Sequence, residues 1–226
     1  MNGVIPTVYY ALVCTLAVWL GLLGLRTKVR RVLRRDRGHP PAGSAAPTVE
    51  AMAAKLGLGA IAALIALVPA GGLPLWKWAF SFCPNPSLPL LAAICAALAP
   101  RLFRVTLFGP ADWRAAWRCG AIVGTVLYLQ PFCLPGFDLY YWGSHPHVVA
   151  WTLALAALGF LGAGLRFGVV FLLALAAYAG RLLESHNGWE YTMDPFYWMI
   201  SVGLVALHGA RAVVGRLAGR PEGRRT

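Results

Sequence analysis

VIPTVYYALVCTLAVWLGLLGL, residues 4–25, is a predominantly apolar run of 22 residues, and RTKVRRVLRRDR, residues 26–37, follows it directly. About 20 apolar residues carry an α-helix across the hydrocarbon core of a bilayer. No basic side chain precedes the run, and seven follow it within twelve positions. A cleaved secretory leader has the reverse order, with charge ahead of the apolar stretch. The pattern predicts an uncleaved anchor whose N-terminus lies outside and whose basic flank lies in the cytoplasm.

The rest of the 226-residue chain repeats this theme, being 59% hydrophobic and 12% charged overall. Soluble domains carry about 25% charged and roughly 45–50% apolar residues. A β-barrel would show short alternating segments in place of continuous Leu/Ala/Val runs. The expected class is an all-α polytopic membrane protein with seven transmembrane helices, N-terminus outside and C-terminus cytoplasmic. After the first, from about Val4 to Leu25, the spans fall at about Met52 to Leu75, Leu88 to Leu102, Ala115 to Phe132, Val148 to Leu165, Phe167 to Gly180 and Pro195 to His208. Residues 1–26 are then the first helix, and 27–50 are a flexible basic linker whose stretch from His39 to Val49 is rich in Pro, Ala and Gly. Residues 51–212 form a six-helix membrane domain with outward aromatic and acidic loops, and 213–226 a basic cytoplasmic tail.

Charge placement supports an odd number of spans. Eighteen of the 20 Lys and Arg fall on the inner side under this topology, leaving Lys77 and Arg181 outside. Six or eight spans would send a large basic cluster across the membrane, against the positive-inside rule. The net charge of +12 is thus a sign of orientation, and no nucleic-acid partner is expected. Membrane lipids are the expected surroundings, and the basic run after the first span can also meet anionic headgroups. The Arg/Ala/Gly-rich composition suggests a bacterial cell, in which a multi-pass protein of this kind sits in the plasma (inner) membrane.

Three local signals bear on packing. Asp194-Pro195 is a good helix start, with an N-cap acid and proline at the first helical position. Asp112 reads as the N-cap of the helix that follows Gly109-Pro110. Gly120 and Gly124 have the spacing that lets two membrane helices approach closely.

The candidate chemistry gathers in the outer loops. RLLESHNGWEYTMDPFYW, residues 181–198, is the most polar and aromatic of them and holds Glu184, Glu190 and Asp194. Glu184 is expected near the last turn of the sixth span, where Arg181 at i−3 can pair with it. Asp138, in the preceding outer loop, is the remaining outer acid. Two nearby carboxylates whose environments separate their pKa values can divide acid and base roles. Glu184, Glu190 and Asp138 are therefore the candidate catalytic residues, whereas Asp194 is explained by capping. Trp76, Trp78, Tyr140, Tyr141, Trp142, His145, His186, Trp189, Tyr191 and Trp198 are the candidate substrate contacts. An interfacial aromatic belt accounts for any one of these rings, but a belt would decorate both faces and the inner face has few.

His145, His147 and His186 offer nitrogen ligands, yet their spacing matches no metal signature, so no metal and no cofactor is assigned. Cys83 and Cys133 are expected outside, where a disulfide between them could persist. His208 reads as a satisfied interfacial histidine. Ionisable groups are nearly absent from mid-span, with Gln130 and Thr152 the strongest polar groups at depth, which disfavours a transporter. Two functions remain. In one, the outer site acts by acid/base chemistry on a lipid-linked or amphiphilic substrate of isoprenoid or glycolipid type. In the other, the chain is a non-catalytic subunit or assembly factor whose outer loops dock a membrane-protein partner.

Overall fold

The computed structural model describes residues 4–36, 49–82, 85–133 and 136–218. Its elements in order are α1 (Val4–Asp36), α2 (Val49–Leu67), a two-stranded hairpin of β1 (Pro69–Ala70) and β2 (Leu73–Pro74), α3 (Leu75–Phe82), α4 (Leu88–Leu102), α5 (Pro110–Cys133), α6 (Leu139–Trp142), α7 (Pro146–Gly162), α8 (Gly168–Ala179), a 3₁₀ turn at Gly188–Tyr191, and α9 (Pro195–Ala218). A helix thus occupies each of the seven apolar stretches. Three of them contain segments long and apolar enough to cross a membrane: Ile5–Val29, Val49–Leu67 and Pro195–Gly215. The apolar helices α4, α7 and α8 have 15, 17 and 12 residues. At 1.5 Å per residue they reach about 22, 26 and 18 Å, short of a hydrocarbon core of about 30 Å. The 24-residue α5 is long enough but carries Asp112, Arg114 and Arg118 in its first turns.

Three expected boundaries are corrected. First, α1 continues through the basic tract to Asp36, since Lys, Arg and Leu are good helix formers. The rest of the expected linker, residues 37–48, lies outside the described residues, as do residues 219–226 of the tail. Second, α2 stops at Leu67, well before Leu75. Gly71 and Gly72 both take positive φ (57° and 83°), the backbone of a tight hairpin turn, and Pro69 pairs with Pro74 across it. Third, the aromatic stretch WKWAFSF, whose composition and place between two apolar runs predict an interfacial turn, is a helix, α3, held to the hairpin by Trp78, whose Nε1 donates to the Ala70 carbonyl at 2.7 Å.

Helices pair as α1 with α2, α5 with α9 and α7 with α8, while α4 touches α1, α8 and α9. Leu90, Ala93, Ile94 and Leu98 of α4 are accordingly buried. The α5–α9 contact uses the two glycines at i and i+4. A Cβ at Gly120 would run into Tyr197 and Ser201, and one at Gly124 would meet the Trp198 ring at 2.5 Å. Tyr197 donates to the Ala116 carbonyl at 2.6 Å and Trp198 Nε1 to Thr125 Oγ1 at 3.0 Å, interhelical bonds worth about 0.6 kcal/mol each in membrane proteins. Phe160 and Phe171 stack at 5.4 Å beside the turn joining α7 to α8. Away from these seams Leu64, Leu158 and Trp151 are 65%, 66% and 70% exposed. Exposure of that kind is a liability in water but is ordinary against lipid.

Two buried carboxylates fasten the helix ends. Asp112 is the third residue of α5 and not its N-cap. Its Oδ2 accepts the Gly109 N–H at 2.9 Å, as in a capping box, and its Oδ1 accepts the Phe167 N–H at 3.0 Å. It thereby joins the start of α5 to the α7–α8 turn. Asp194 caps α9 by accepting the Tyr197 N–H at 2.9 Å on Oδ1. Its Oδ2 accepts Ser87 N–H at 2.9 Å and Ser87 O–H at 2.5 Å. Ser87 is itself the N-cap of α4, so one carboxylate anchors the starts of two helices.

Candidate functional site

The end of the molecule where α4 and α9 begin carries the polar cluster. Asn85, just ahead of Ser87, accepts the Tyr10 hydroxyl at 2.8 Å on Oδ1, while its Nδ2 donates to Glu190 Oε2. The other Glu190 oxygen accepts the Tyr140 hydroxyl. Tyr9 donates to the Pro86 carbonyl at 2.7 Å. Four segments distant in sequence thus converge on one carboxylate: the start of α1, the α3–α4 loop, α6 and the 3₁₀ turn. Burial foremost, and then the proton shared with Glu190, holds the Tyr140 phenol above its ordinary range. It therefore remains a donor at neutral pH.

Loop-to-loop bonds hold this arrangement. Asn187 Nδ2 donates to the Tyr140 carbonyl at 2.9 Å, Trp189 Nε1 to the Leu139 carbonyl at 3.0 Å, and the Gly188 N–H to the Gly143 carbonyl at 2.8 Å. Both glycines are required by close approach. A side chain on Gly143 would collide with Asn187 and Trp189, and one on Gly188 with Val149. Gln130 fixes the other end of the α5–α6 loop, donating to the Phe137 carbonyl and accepting the Leu139 N–H at 3.0 Å.

Three concavities adjoin the cluster. The largest, about 810 Å³, is lined by Arg181, Glu184, Ser185 and His186 together with Ile5 and Pro6 of α1. A second, about 340 Å³, is an apolar groove between α1, α3, α4 and α9, with Tyr10 and Trp76 among its lining and Leu20 toward its far end. The third, about 170 Å³, holds Glu190, Asn85, Tyr140 and Trp189. Pro6, Tyr10, Cys14 and Ala17 follow one face of α1, so the large cavity and the groove lie along a single stripe. Tyr10 stands where they meet, and the Glu184 backbone approaches its hydroxyl.

The candidate residues therefore separate. Glu190, Tyr140 and Trp189 come together. Glu184 and His186 line the large cavity with Arg181. Glu184 is off the helix, contrary to the sequence expectation, because α8 ends at Ala179. Arg181 turns the chain there with φ 50°, while Leu182 N–H bonds the Ala177 carbonyl at 3.0 Å and Arg181 N–H the Tyr178 carbonyl at 3.1 Å. This is the helix ending in which glycine usually takes the left-handed position. Asp138 caps α6 by accepting the Tyr141 N–H at 3.0 Å. Tyr141 and Trp142 are exposed, and His145 packs edge-on against Tyr141 at 4.9 Å. Tyr191 is fully buried, its hydroxyl engaged by the 183–185 backbone, and burial raises its phenol pKa. Trp76 lines the groove, Trp78 packs on the hairpin, and Trp198 lies in the α5–α9 seam.

Among the described residues, His145, His147 and His186 do not join in a group of three or more His, Cys, Asp or Glu able to hold a metal ion. Cys133 is exposed, and its expected partner Cys83 lies outside the described residues. His208 Nδ1 sits 2.6 Å from the Leu204 carbonyl. Sequence reasoning did not single out Tyr10 or Asn85 as site residues. Tyr10 is disguised within an apolar run, and its available signal is a tyrosine pair toward the N-terminal end of that run. Compared with family models, with curated proteins and with solved structures, the chain matches none.

Proposed function

We propose that the protein is a seven-helix, multi-pass protein of the plasma membrane, with its N-terminus outside and its C-terminus in the cytoplasm. On this reading its outer site acts on a lipid-linked or amphiphilic substrate of isoprenoid or glycolipid type by acid/base chemistry. The short α4, α7 and α8 cross a locally thinned bilayer or are flanked by interfacial side chains, both tolerated at modest cost. One observation carries the functional reading: the Tyr10 hydroxyl, at the margin of an apolar groove, is linked through Asn85 to the Glu190 carboxylate. From Tyr10 to Leu20 the groove follows about 15 Å of α1, half of a hydrocarbon core of about 30 Å. That length suits one chain of an outer-leaflet amphiphile.

With the chain in the groove, the head passes Tyr10 into the small cavity that holds Glu190 and Asn85, and its outer part meets Arg181 and His186 of the neighbouring large cavity. Glu190 is the acid/base residue. Each of its oxygens takes one hydrogen bond and keeps a lone pair, so it can accept a proton from the head while Asn85 and Tyr140 hold it in place. Glu184 is a head contact, and Asp138 is a positioning residue through α6.

The test compares membrane lipid profiles of cells carrying the parent, Glu190→Gln and Ala17→Trp, the last filling the groove. Accumulation of the same amphiphile in both variants, at normal protein abundance, supports the reading. An unchanged lipid profile in Glu190→Gln refutes it. The subunit reading has its own observation, since Phe137, Tyr141 and Trp142 stand exposed together on a braced loop. Loss of a co-purifying membrane protein from Tyr141→Ala/Trp142→Ala, with unchanged lipids in Glu190→Gln, would favour it.

A further inference from the structure

At the opposite end of α1, a pocket of about 210 Å³ is lined by Leu23, Arg26, Thr27, Lys55 and Arg101. Three helices, α1, α2 and α4, each bring one cation to it, and among the described residues no acid lines it. Arg26 is the first residue after the apolar run, so the pocket lies at the depth where hydrocarbon gives way to headgroups, with Leu23 on its apolar side. The nearby acids are placed elsewhere: Asp112 is committed to Gly109 and Phe167, and Glu50 is exposed in the first turn of α2.

Part of the positive charge is answered within the fold. Lys55 Nζ donates to the Arg101 carbonyl at 2.6 Å, and the Arg101 guanidinium donates to the Ala97 carbonyl. These carbonyls belong to the C-terminal end of α4, which favours cations. The bonds fix both side chains at the pocket and use one donor of each. A guanidinium has five N–H donors and an ammonium three, so most donors stay available. Two fixed cations and Arg26 beside them, with no acid in the lining among the described residues, repel one another, and a bound anion relieves that repulsion.

We propose that Arg26, Lys55 and Arg101 bind the phosphate group of an anionic lipid at the basic end of the helix bundle. The pocket has the scale of a phosphate and not of a whole phospholipid, and the tails would lie alongside the apolar part of α1. Basic pockets between membrane helices recognise lipid phosphates in this way. The site is independent of the outer cluster and of its proposed chemistry.

The test uses the full-length protein in neutral detergent, titrated separately with phosphatidylglycerol, phosphatidylcholine and inorganic phosphate. Native mass spectrometry reads retained lipid and a thermal-unfolding assay reads stabilisation. The expected result is preferential retention of phosphatidylglycerol over phosphatidylcholine, weakened about fivefold by each of Arg26→Gln, Lys55→Gln and Arg101→Gln. Arg114→Gln, an exposed cation at the start of α5, should leave it unchanged. Arg26→Lys should recover most of the binding lost in Arg26→Gln, which separates charge from folding defects. Equal stabilisation by inorganic phosphate and by phosphatidylglycerol would overturn the lipid assignment in favour of a soluble phosphate ester. Equal retention of the two lipids, or an Arg114→Gln loss as large as that of Arg26→Gln, would overturn the site.

Discussion

Replacing Asp194 by alanine tests whether one carboxylate fastens two helices. Asp194 is 1% exposed and accepts three donors, so its removal has separable costs. Loss of the α9 N-cap costs about 1 kcal/mol, within a range of about 0.5–2. The Ser87 N–H, buried and deprived of its acceptor, adds about 1–3 kcal/mol. The Ser87 hydroxyl bond is left out of this sum, because the double-variant cycle measures it separately. Together these give a destabilisation of about 2–5 kcal/mol for Asp194→Ala. Asp194→Asn keeps one acceptor oxygen but turns an amide toward the remaining donors, so it should cost less, about 1–3 kcal/mol. The assay is reversible unfolding of purified protein in mixed micelles, with Ser87→Ala and the double variant completing a cycle. Because Ser87→Ala retains the backbone N–H, the cycle isolates the hydroxyl bond, and a coupling above about 0.5 kcal/mol is expected. A loss below about 0.5 kcal/mol in Asp194→Ala would refute the shared fastening, and additivity between the two sites would remove the hydroxyl from it.

In the α5–α9 seam, Gly124→Ala should destabilise by about 1–3 kcal/mol by overpacking against Trp198. Ser201→Ala, which removes a buried hydroxyl lacking a hydrogen-bond partner, should be neutral or slightly stabilising in the same unfolding assay. The raised pKa of Tyr140 makes its stabilising contribution fully present below the unfolded phenol's value of about 10 and lost as pH rises through the higher folded value. Ultraviolet difference titration of Tyr140→Phe should accordingly lack one late-ionising tyrosine. An unchanged alkaline limb would show that Tyr140 titrates as an ordinary phenol.

The apolar stretches are legible in sequence because burial in lipid demands long hydrophobic runs, and the sharp start at Pro195 follows from local capping chemistry, whereas the Ser87 cap of α4 is seen in the structure. The hairpin was harder to see, since Pro69 and Gly71-Gly72 register as tolerated breakers inside an apolar run. The helix α3 was obscured by aromatic density that also marks interfacial turns. Asp194 could be read as a cap, but its second role needs Ser87, 107 positions away, and no local pattern encodes that distance. Glu190 was visible as an outer acid. Its partner Asn85 lies 105 positions away, and Tyr10, which bonds Asn85, lies 180 away, so they join it only through the arrangement of the helices. Asp112 was assigned the wrong helical position because Gly109 precedes Pro110 and takes the cap itself.

The long reach of the Ser87–Asp194 fastening has a consequence for biosynthesis. The ribosome makes α4 long before α9, so α4 is complete while its later clasp is still untranslated. Until then its start is held by Ser87 capping its own first turn and by the bonds from Tyr9 and Tyr10 of α1 to Pro86 and Asn85. A chain halted after α8 would carry an α4 lacking its Asp194 clasp and an open groove, making the arrival of the last helix the event that completes this end of the bundle.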